Sequence, residues 1–176
     1  MSKLNKHIFL IGFMGVGKTS TSRALSGILG VSEIDTDAMI VQKEECSIPE
    51  IFEKKGEEYF RRTETAILDD IAKMEPCIVS CGGGMAMREE NVKKMKNIGK
   101  VLFLCAEPET IYSHVKDSTN RPLLNGNMNV PYIKKLMEER TPKYKAAADN
   151  IIVTDGLTPW QVAEKIDDML TFAAGF

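Results

Sequence analysis

The sequence GFMGVGKT at residues 12–19 limits the possible folds of this chain more than any other segment. It matches the Walker A pattern G-x-x-x-x-G-K-[ST] at every fixed position. The apolar run at residues 7–11 (HIFLI) is typical of a strand buried on both faces, and the pattern at residues 18–29 predicts a helix. A glycine-rich turn between such a strand and helix is where this motif wraps a phosphate. The motif therefore predicts a nucleoside triphosphate site.

Each part of the motif has a physical role in binding phosphate. Glycines let the backbone approach closely, and the helix N-terminus offers unpaired N–H groups and the positive end of its dipole. Lys18 adds a charge at the β and γ phosphates, and the Thr19 hydroxyl can ligate Mg²⁺. A glycine-rich turn without a ligand is the alternative, which the flanking strand and helix disfavour. The predicted ATP-binding residues here are Gly12, Met14, Gly15, Val16, Gly17, Lys18, Thr19 and Ser20.

The rest of the chain alternates short strands with helices and has no internal repeat. Five buried strands separated by helices imply an α/β fold of three layers, with a parallel sheet covered on both faces. The length of 176 residues suits one domain, residues 1–176. Besides residues 7–11, strands are predicted at residues 32–35, 77–80, 101–105 and 151–154. Besides residues 18–29, helices are predicted at residues 38–45, 57–74, 88–96, 108–116 and 130–147.

Two further helices are predicted from capping boxes, in which a Ser or Thr and a Glu or Gln three positions later satisfy the helix N-terminus. One box begins at Ser47 (SIPE) and the other at Thr158 (TPWQ). We expect Trp160 to pack the last helix onto the core.

Composition and charge exclude several classes of partner. The formal net charge is −2 with 27% charged residues, so nothing favours nucleic acid or an anionic membrane as a partner. We find no apolar run long enough for a membrane span and no signal peptide. The four cysteines show neither a CxxC pair nor metal-ligand spacing, which favours reduced thiols in a cytoplasmic enzyme. We expect a monomer that binds only small molecules.

The Walker A motif does not by itself separate kinases, motors, GTPases and switches. We find no NKxD motif for guanine and no DxxG switch, and the chain is short for the usual ATPase cores. These absences favour a small-molecule kinase.

Two carboxylates, Asp35 and Asp37, follow the second predicted strand. Ligands bind at the carboxyl ends of strands in such sheets, so one carboxylate can reach the Mg²⁺ shell while the other faces the acceptor hydroxyl. The alternative is that Asp37 only caps the helix that follows, since Asp is a good N-cap. The residues themselves leave these two interpretations about equally supported.

The predicted helix at residues 57–74 contains the sequence FRRTE, in which Arg61 and Glu64 are three apart and share a face. Glu64 can therefore orient Arg61, and Arg62 points elsewhere. A solvated charged face is the alternative.

Three glycines, residues 82–84, follow the third predicted strand and suggest a close approach of backbone to a ligand, with a plain turn as the alternative. Ser80 stands where many proteins with a Walker A motif carry a metal-binding Asp. We therefore expect the carboxylate of the metal site to come from Asp35.

Residues 117–129 are polar and rich in Gly, Asn and Pro, which predicts a mobile lid. Arg121 in this loop suits a group that closes over phosphates and neutralises charge in the transition state. Arg140, near the end of the following helix, could bind a carboxylate with both arms of its guanidinium. Taken alone, Arg140 would be an ordinary surface residue.

The motifs occur together and in order: Walker A, DTD, FRR, SxGGG, RPLL, and R-x-P-x-Y at residues 140–144. This combination resembles the shikimate kinases over essentially the whole chain. The resemblance implies a core like that of nucleoside monophosphate kinases, with a five-stranded parallel sheet, an acceptor-binding segment near residues 35–64 and the lid. It also implies ATP-dependent phosphorylation of the 3-hydroxyl of shikimate, a step in chorismate and aromatic amino-acid biosynthesis.

The resemblance also implies roles for individual residues. Lys18 and Arg121 would act on the phosphates of ATP, Thr19 and Asp35 would hold Mg²⁺, and Asp37 would accept the proton of the acceptor hydroxyl. The implied shikimate-binding residues are Asp37, Arg61, Gly83, Gly84, Arg140, Phe52, Phe60 and Glu64.

Two positions depart from the family pattern. His114 stands where many members carry an arginine that packs on adenine, and Cys81 replaces a more usual aliphatic residue. Three other interpretations compete: a gluconate-type sugar-acid kinase, a nucleoside monophosphate kinase, and a nucleotide-binding regulator without catalysis. The combination of DTD, FRR and GGG argues against the first, the lack of a second nucleotide site against the second, and the full set of charged residues against the third.

Overall fold

Five parallel strands form one sheet in the computed structural model, which describes residues 4–118, 124 and 126–174. The strands are β1 (His7–Ile11), β2 (Glu33–Asp35), β3 (Ile78–Ser80), β4 (Gly99–Cys105) and β5 (Asn150–Val153). Their order across the sheet is β2-β3-β1-β4-β5. All five strands agree with the predicted positions to within two residues.

Helices flank the sheet, and every residue of β1 is buried because both faces of this central strand are covered. No helix within the described residues is long and apolar enough to cross a membrane. The described α-helices are α1 (Lys18–Leu29), α2 (Thr36–Glu44), α3 (Ile48–Lys55), α4 (Glu57–Ile71), α5 (Glu89–Ile98), α6 (Pro108–Val115), α7 (Val130–Ala147) and α8 (Pro159–Ala174).

Helix termini mostly follow the predicted caps. Ser47 and Glu50 form a reciprocal capping box at the start of α3, and Thr158 and Gln161 form another before α8. The predicted end of α4 at residue 74 is wrong, because α4 ends at Ile71. The Ala72 N–H still donates four positions back, but those of Lys73 and Met74 donate to carbonyls three positions back, which is the tighter pattern often found at helix ends.

The predicted packing of Trp160 onto the core is also wrong, since this side chain is 52% exposed. Its indole N–H donates to Glu164 one turn further along α8, at 2.9 Å. The core-facing positions of α8 are taken by Val162, Ala163 and Ile166, which are buried. Trp160 therefore lies on the solvent face of an amphipathic helix.

The register of the sheet brings three distant segments together. Ser80 at the end of β3 pairs with Asp35 at the end of β2 on one side and with Leu10 of β1 on the other. Because parallel strands end at the same edge of the sheet, the Walker A loop, the DTD segment and the glycine segment all begin at this edge.

His7 is a buried polar residue at the opposite end of β1, 4% exposed. The backbone N–H of Cys77 donates to its Nδ1 at 3.2 Å, so the imidazole joins the start of β1 to the segment before β3. Burial lowers the pKa of His7 below its ordinary value of 6.5, against weaker opposing hydrogen bonds that involve Cys77 and Ile71. The folded chain therefore favours the neutral imidazole.

We expect acid to destabilise the fold through His7. The unfolded chain takes up this proton as the pH falls below 6.5, whereas the folded chain resists it until a lower pH. Wild type should therefore lose free energy of unfolding relative to His7→Asn as the pH falls from 6.5, by at most about 1.4 kcal/mol per pH unit. Urea unfolding at several pH values measures this. Comparison of wild type with His7→Asn isolates this one proton, and equal slopes for the two proteins would contradict the prediction.

Candidate active site

The Walker A loop closes around the amino group of its own lysine. Lys18 Nζ donates to the carbonyl oxygens of Gly12 at 2.8 Å and Phe13 at 3.2 Å. A cavity of about 430 Å³ begins at this loop and reaches the acidic residues predicted for the metal and acceptor. Its lining includes residues 14–21, Asp35, Asp37, residues 80–83, His114, Thr154, Leu157, Pro159 and Val162. The ATP-binding residues predicted within the Walker A segment thus line one cavity, apart from Gly12, whose carbonyl oxygen accepts from Lys18.

The two acidic residues of the DTD segment have different surroundings. The Thr19 hydroxyl donates a hydrogen bond to Asp35 Oδ2 at 3.0 Å, and the backbone N–H of Ala38 donates one to Asp35 Oδ1 at 3.1 Å. Asp35 is therefore the N-cap of α2. The interpretation in which Asp37 merely caps this helix is wrong, because Asp37 lies inside the first turn and lines the cavity.

Thr19, Asp35 and Ser80 form a cluster of oxygen ligands. Thr19 Oγ1 lies 3.2 Å from Ser80 Oγ as well as 3.0 Å from Asp35. Carboxylate and hydroxyl oxygens suit Mg²⁺, which usually keeps several waters and binds largely through substrate phosphates. Among the described residues no group of three or more His, Cys, Asp or Glu could hold a metal. This small donor set fits a metal carried mainly by a nucleotide.

Thr36 is a residue of the site that the sequence pattern did not reveal. Its side chain is fully buried, and its Oγ1 accepts the backbone N–H of Gly82 at 2.9 Å. Thr36 therefore ties the DTD segment to the glycine segment. Its position between two functional carboxylates at a strand end is the only signal in the sequence that could have pointed to it.

At Gly82 and Gly84, side chains of the protein occupy the space that a Cβ atom would need. A Cβ atom on Gly82 would lie 2.6 Å from Asp37 Oδ1, and one on Gly84 would overlap the guanidinium of Arg61. The corresponding position on Gly83 is 3.5 Å from Arg140 Nη1, an ordinary contact. The glycine segment is thus where Asp37, Arg61 and Arg140 meet. The close approach that the structure shows here is to side chains of the protein, and the expected approach to a ligand stays a prediction.

Arg61 lies between two carboxylates of its own helix. Its Nη1 donates to Glu64 Oε2 at 2.9 Å, the predicted contact three residues along, and its Nη2 donates to Glu57 Oε1 at 3.2 Å. The Glu64 side chain is 1% exposed, so the interpretation of a solvated charged face is wrong for this pair. Burial raises the pKa of Glu64, while Arg61 opposes the rise and the charge of Asp37 adds to it.

Phe52 and Phe60 form an aromatic pair beside Arg61. Their ring centroids are 4.9 Å apart, and Arg61 Cζ lies 5.3 Å from the centre of the Phe60 ring. Phe60 is buried, whereas Phe52 is 37% exposed. The pair therefore offers an apolar surface next to a cationic group.

Of two further residues singled out in the sequence, the structure describes His114 but not Arg121. Arg121 lies outside the described residues, as does most of the predicted lid at residues 117–129. His114 is described, and its Nδ1 lies 2.7 Å from the carbonyl oxygen of Gly15 in the Walker A loop. Since a carbonyl only accepts, Nδ1 donates this bond, and the imidazole holds α6 to the loop.

The Walker A loop lies at the carboxyl edge of a parallel sheet. One cavity contains both this loop and Asp37, and two arginines lie nearby. These features define the class of protein, a P-loop kinase of small molecules. Comparisons with known proteins give the family. The family model of shikimate kinase matches residues 14–171. A shikimate kinase of Dehalococcoides mccartyi is 42% identical over 96% of this chain and 95% of its own length.

Solved structures agree. Shikimate kinase from Acinetobacter baumannii in complex with shikimate superimposes with a TM-score of 0.91 at 31% identity, covering 97% of this chain and 96% of that one. Shikimate kinase from Aquifex aeolicus gives a TM-score of 0.83 at 37% identity, covering 96% and 98%. The chain belongs to the shikimate kinase family.

We expect Gly84→Ala to displace Arg61 without harming the fold. Gly84 has φ −90° and ψ −8°, a conformation that alanine adopts, so the conflict is with the guanidinium alone. Losing a charge-assisted contact should weaken shikimate binding by roughly 10- to 150-fold and leave ATP binding within about twofold. Calorimetric titration of both ligands measures this. Gly27→Ala is the matched control, because an added Cβ there meets only Trp160 Cζ3, at 4.0 Å, and it should leave shikimate binding unchanged. Equal effects of the two variants would refute the displacement.

Proposed function

We propose that this chain transfers the γ-phosphoryl group of ATP to the 3-hydroxyl of shikimate, giving shikimate 3-phosphate and ADP in aromatic amino-acid biosynthesis. One observation carries the proposal. Asp37, Arg61 and Arg140 converge on the backbone of residues 82–84, and Asp37 shares a cavity with the Walker A loop. A small acid with ring hydroxyls needs this combination of a carboxylate clamp, a hydroxyl acceptor and an adjacent phosphate donor.

The nucleotide lies along the Walker A loop in this proposal. Backbone N–H groups at the start of α1 hold its phosphates, and Lys18 moves from the loop carbonyls to the β and γ phosphates. Mg²⁺, the metal that the oxygen cluster fits, would be held by Thr19 and the water shell of Asp35. When bound it neutralises charge on the transferring phosphates.

Shikimate lies on the other side of the carboxylate pair. Arg61 and Arg140 bind its carboxylate, and the backbone of Gly83 and Gly84 contacts its ring substituents. Phe52 and Phe60 cover one face of the ring. Glu64 is buried and hydrogen-bonded to Arg61, so it fixes the guanidinium in one orientation before the substrate arrives.

Asp37 is the residue that we assign to the reacting hydroxyl. Asp37 lines the cavity that contains the Walker A loop, and its Oδ1 lies beside the glycine segment, whereas both oxygens of Asp35 bind Thr19 and the start of α2. Phosphoryl transfer passes through a loose transition state, so the main work of the protein is positioning and charge stabilisation. Asp37 orients the hydroxyl and takes its proton late. Arg121 would supply positive charge at the transferring group. We expect the enzyme to act as a cytoplasmic monomer.

A panel of acceptors tests the proposal directly. We expect ADP release with Mg·ATP and shikimate, and release at least about 100-fold slower with gluconate or nucleoside monophosphates, because neither acceptor satisfies both the arginine clamp and Asp37. Coupled measurement of ADP with each acceptor gives kcat/KM. Preference for gluconate or for a nucleoside monophosphate would overturn the proposed substrate, and no turnover with any acceptor would favour a nucleotide-binding regulator.

Asp37→Asn tests the mechanism. Asparagine keeps the size and much of the hydrogen bonding but takes no proton, so kcat should fall by about 100-fold, the low end for general-base catalysis, because the transition state is loose. ATP affinity should be retained and shikimate affinity reduced only a few-fold, by roughly the worth of one hydrogen bond. Steady-state kinetics and direct titrations on one preparation measure all three.

The matched control for this variant is Asp69→Asn. Asp69 pairs with Lys94 on the surface, away from the cavity, and its replacement should leave kcat unchanged. Wild-type kcat in Asp37→Asn would remove Asp37 from the mechanism.

A further inference from the structure

Tyr144 is a buried residue of α7 for which the proposed mechanism gives no role. It is 1% exposed, and its ring stacks on Phe103 of β4 with centroids 5.1 Å apart. Its hydroxyl donates to the carbonyl oxygen of Gly83 at 2.6 Å. The hydroxyl therefore ends at the backbone segment on which the functional side chains meet.

Arg140 lies four residues before Tyr144, on the same face of α7. The position that a Cβ atom would take on Gly83 is 3.5 Å from Arg140 Nη1 and 3.7 Å from Tyr144 Oη, so both groups lie on the same side of this glycine. Burial raises the pKa of Tyr144, while the charge of Arg140 and a hydrogen bond from its guanidinium oppose the rise. Tyr144 thus stays protonated and can donate to Gly83 while accepting from Arg140.

We infer that Tyr144 is a positioning residue of the acceptor site, whose hydroxyl holds the guanidinium of Arg140 against Gly83 in the orientation that binds the acceptor carboxylate. The inference rests on the proposed role of Arg140. An arginine side chain carries about 2 kcal/mol of rotamer entropy, so fixing it before binding raises affinity. The Tyr144 hydroxyl already donates to the Gly83 carbonyl, so its oxygen can accept only from a donor such as the guanidinium of Arg140 beside it, and such chains strengthen each member.

A purely structural role for Tyr144 makes a different prediction, because the stack on Phe103 needs the ring and not the hydroxyl. Tyr144→Phe removes only the hydroxyl. We expect the KM for shikimate to rise about tenfold, as for a lost hydrogen bond to a charged group, with the KM for ATP within about twofold. Tyr59→Phe is the matched control: its hydroxyl donates to Glu44 at 3.0 Å, outside the site, and its loss should leave both KM values unchanged.

A second variant separates the ring from the hydroxyl. Phe103→Leu weakens the stack and keeps the Tyr144 hydroxyl, so it should lower the midpoint of urea unfolding without changing the KM for shikimate. If Phe103→Leu raised this KM as much as Tyr144→Phe, packing would be the cause and the inference would be overturned.

A double-mutant cycle completes the test. In an Arg140→Ala background, Tyr144→Phe should change the KM for shikimate by less than about twofold, whereas in an Arg61→Ala background it should still give about tenfold. A tenfold effect in the Arg140→Ala background, or none in wild type, overturns the inference alone. An unchanged KM in Arg140→Ala by itself would overturn the carboxylate clamp as well, so the two failures are distinguishable.

Discussion

The active site depends on one stretch of backbone, residues 82–84, that has no side chains. Asp37 and Arg61 occupy the volume that Cβ atoms on Gly82 and Gly84 would need, and Arg140 lies against Gly83. Glycine costs conformational entropy on folding, so this segment must be held from outside. It is held by hydrogen bonds from different elements: Thr36 of α2 accepts from Gly82, and Tyr144 of α7 donates to Gly83. Asn91 of α5 extends the support by donating to the carbonyl of Met85, and it accepts from Thr65 of α4.

The pairing of charged side chains in the site is explained by the burial of Glu64. Glu64 is 1% exposed and would be costly as an isolated anion, but Arg61 neutralises it and is fixed by it in return. Glu64 therefore sets the orientation of Arg61. The other partner of Arg61, Glu57, is 67% exposed, so a substrate anion can replace it at the guanidinium. Asp35 likewise combines two tasks, since its two oxygens separately cap α2 and accept from Thr19. A residue that ends a strand, begins a helix and contacts the phosphate loop links the fold to the chemistry.

The strands, the helix starts and the phosphate loop could be predicted from the sequence because each depends on a local pattern of residues. Strands buried on both faces are continuous apolar runs. The capping boxes at Ser47 and Thr158 mark the starts of their helices directly. The Walker A loop is recognisable because its phosphate contacts come from one contiguous segment. The error at Trp160 has a physical reason: an amphipathic indole can stay at the surface when Glu164 accepts its N–H, and apolar character alone does not decide which helix face is buried.

The order of the elements, the phosphate loop and the set of charged residues available for catalysis can all be read from the amino-acid sequence. The sequence could not decide which of the two aspartates caps α2, because Asp suits a cap at either position and only the folded backbone shows that the Ala38 N–H donates to Asp35. It could not reveal the roles of Thr36 and Tyr144, although both lie within quoted motifs, because their partners are backbone groups 46 and 61 residues away. Tertiary structure decided these roles, since the register of β1, β2 and β3 is what brings segments remote in the chain within hydrogen-bonding distance.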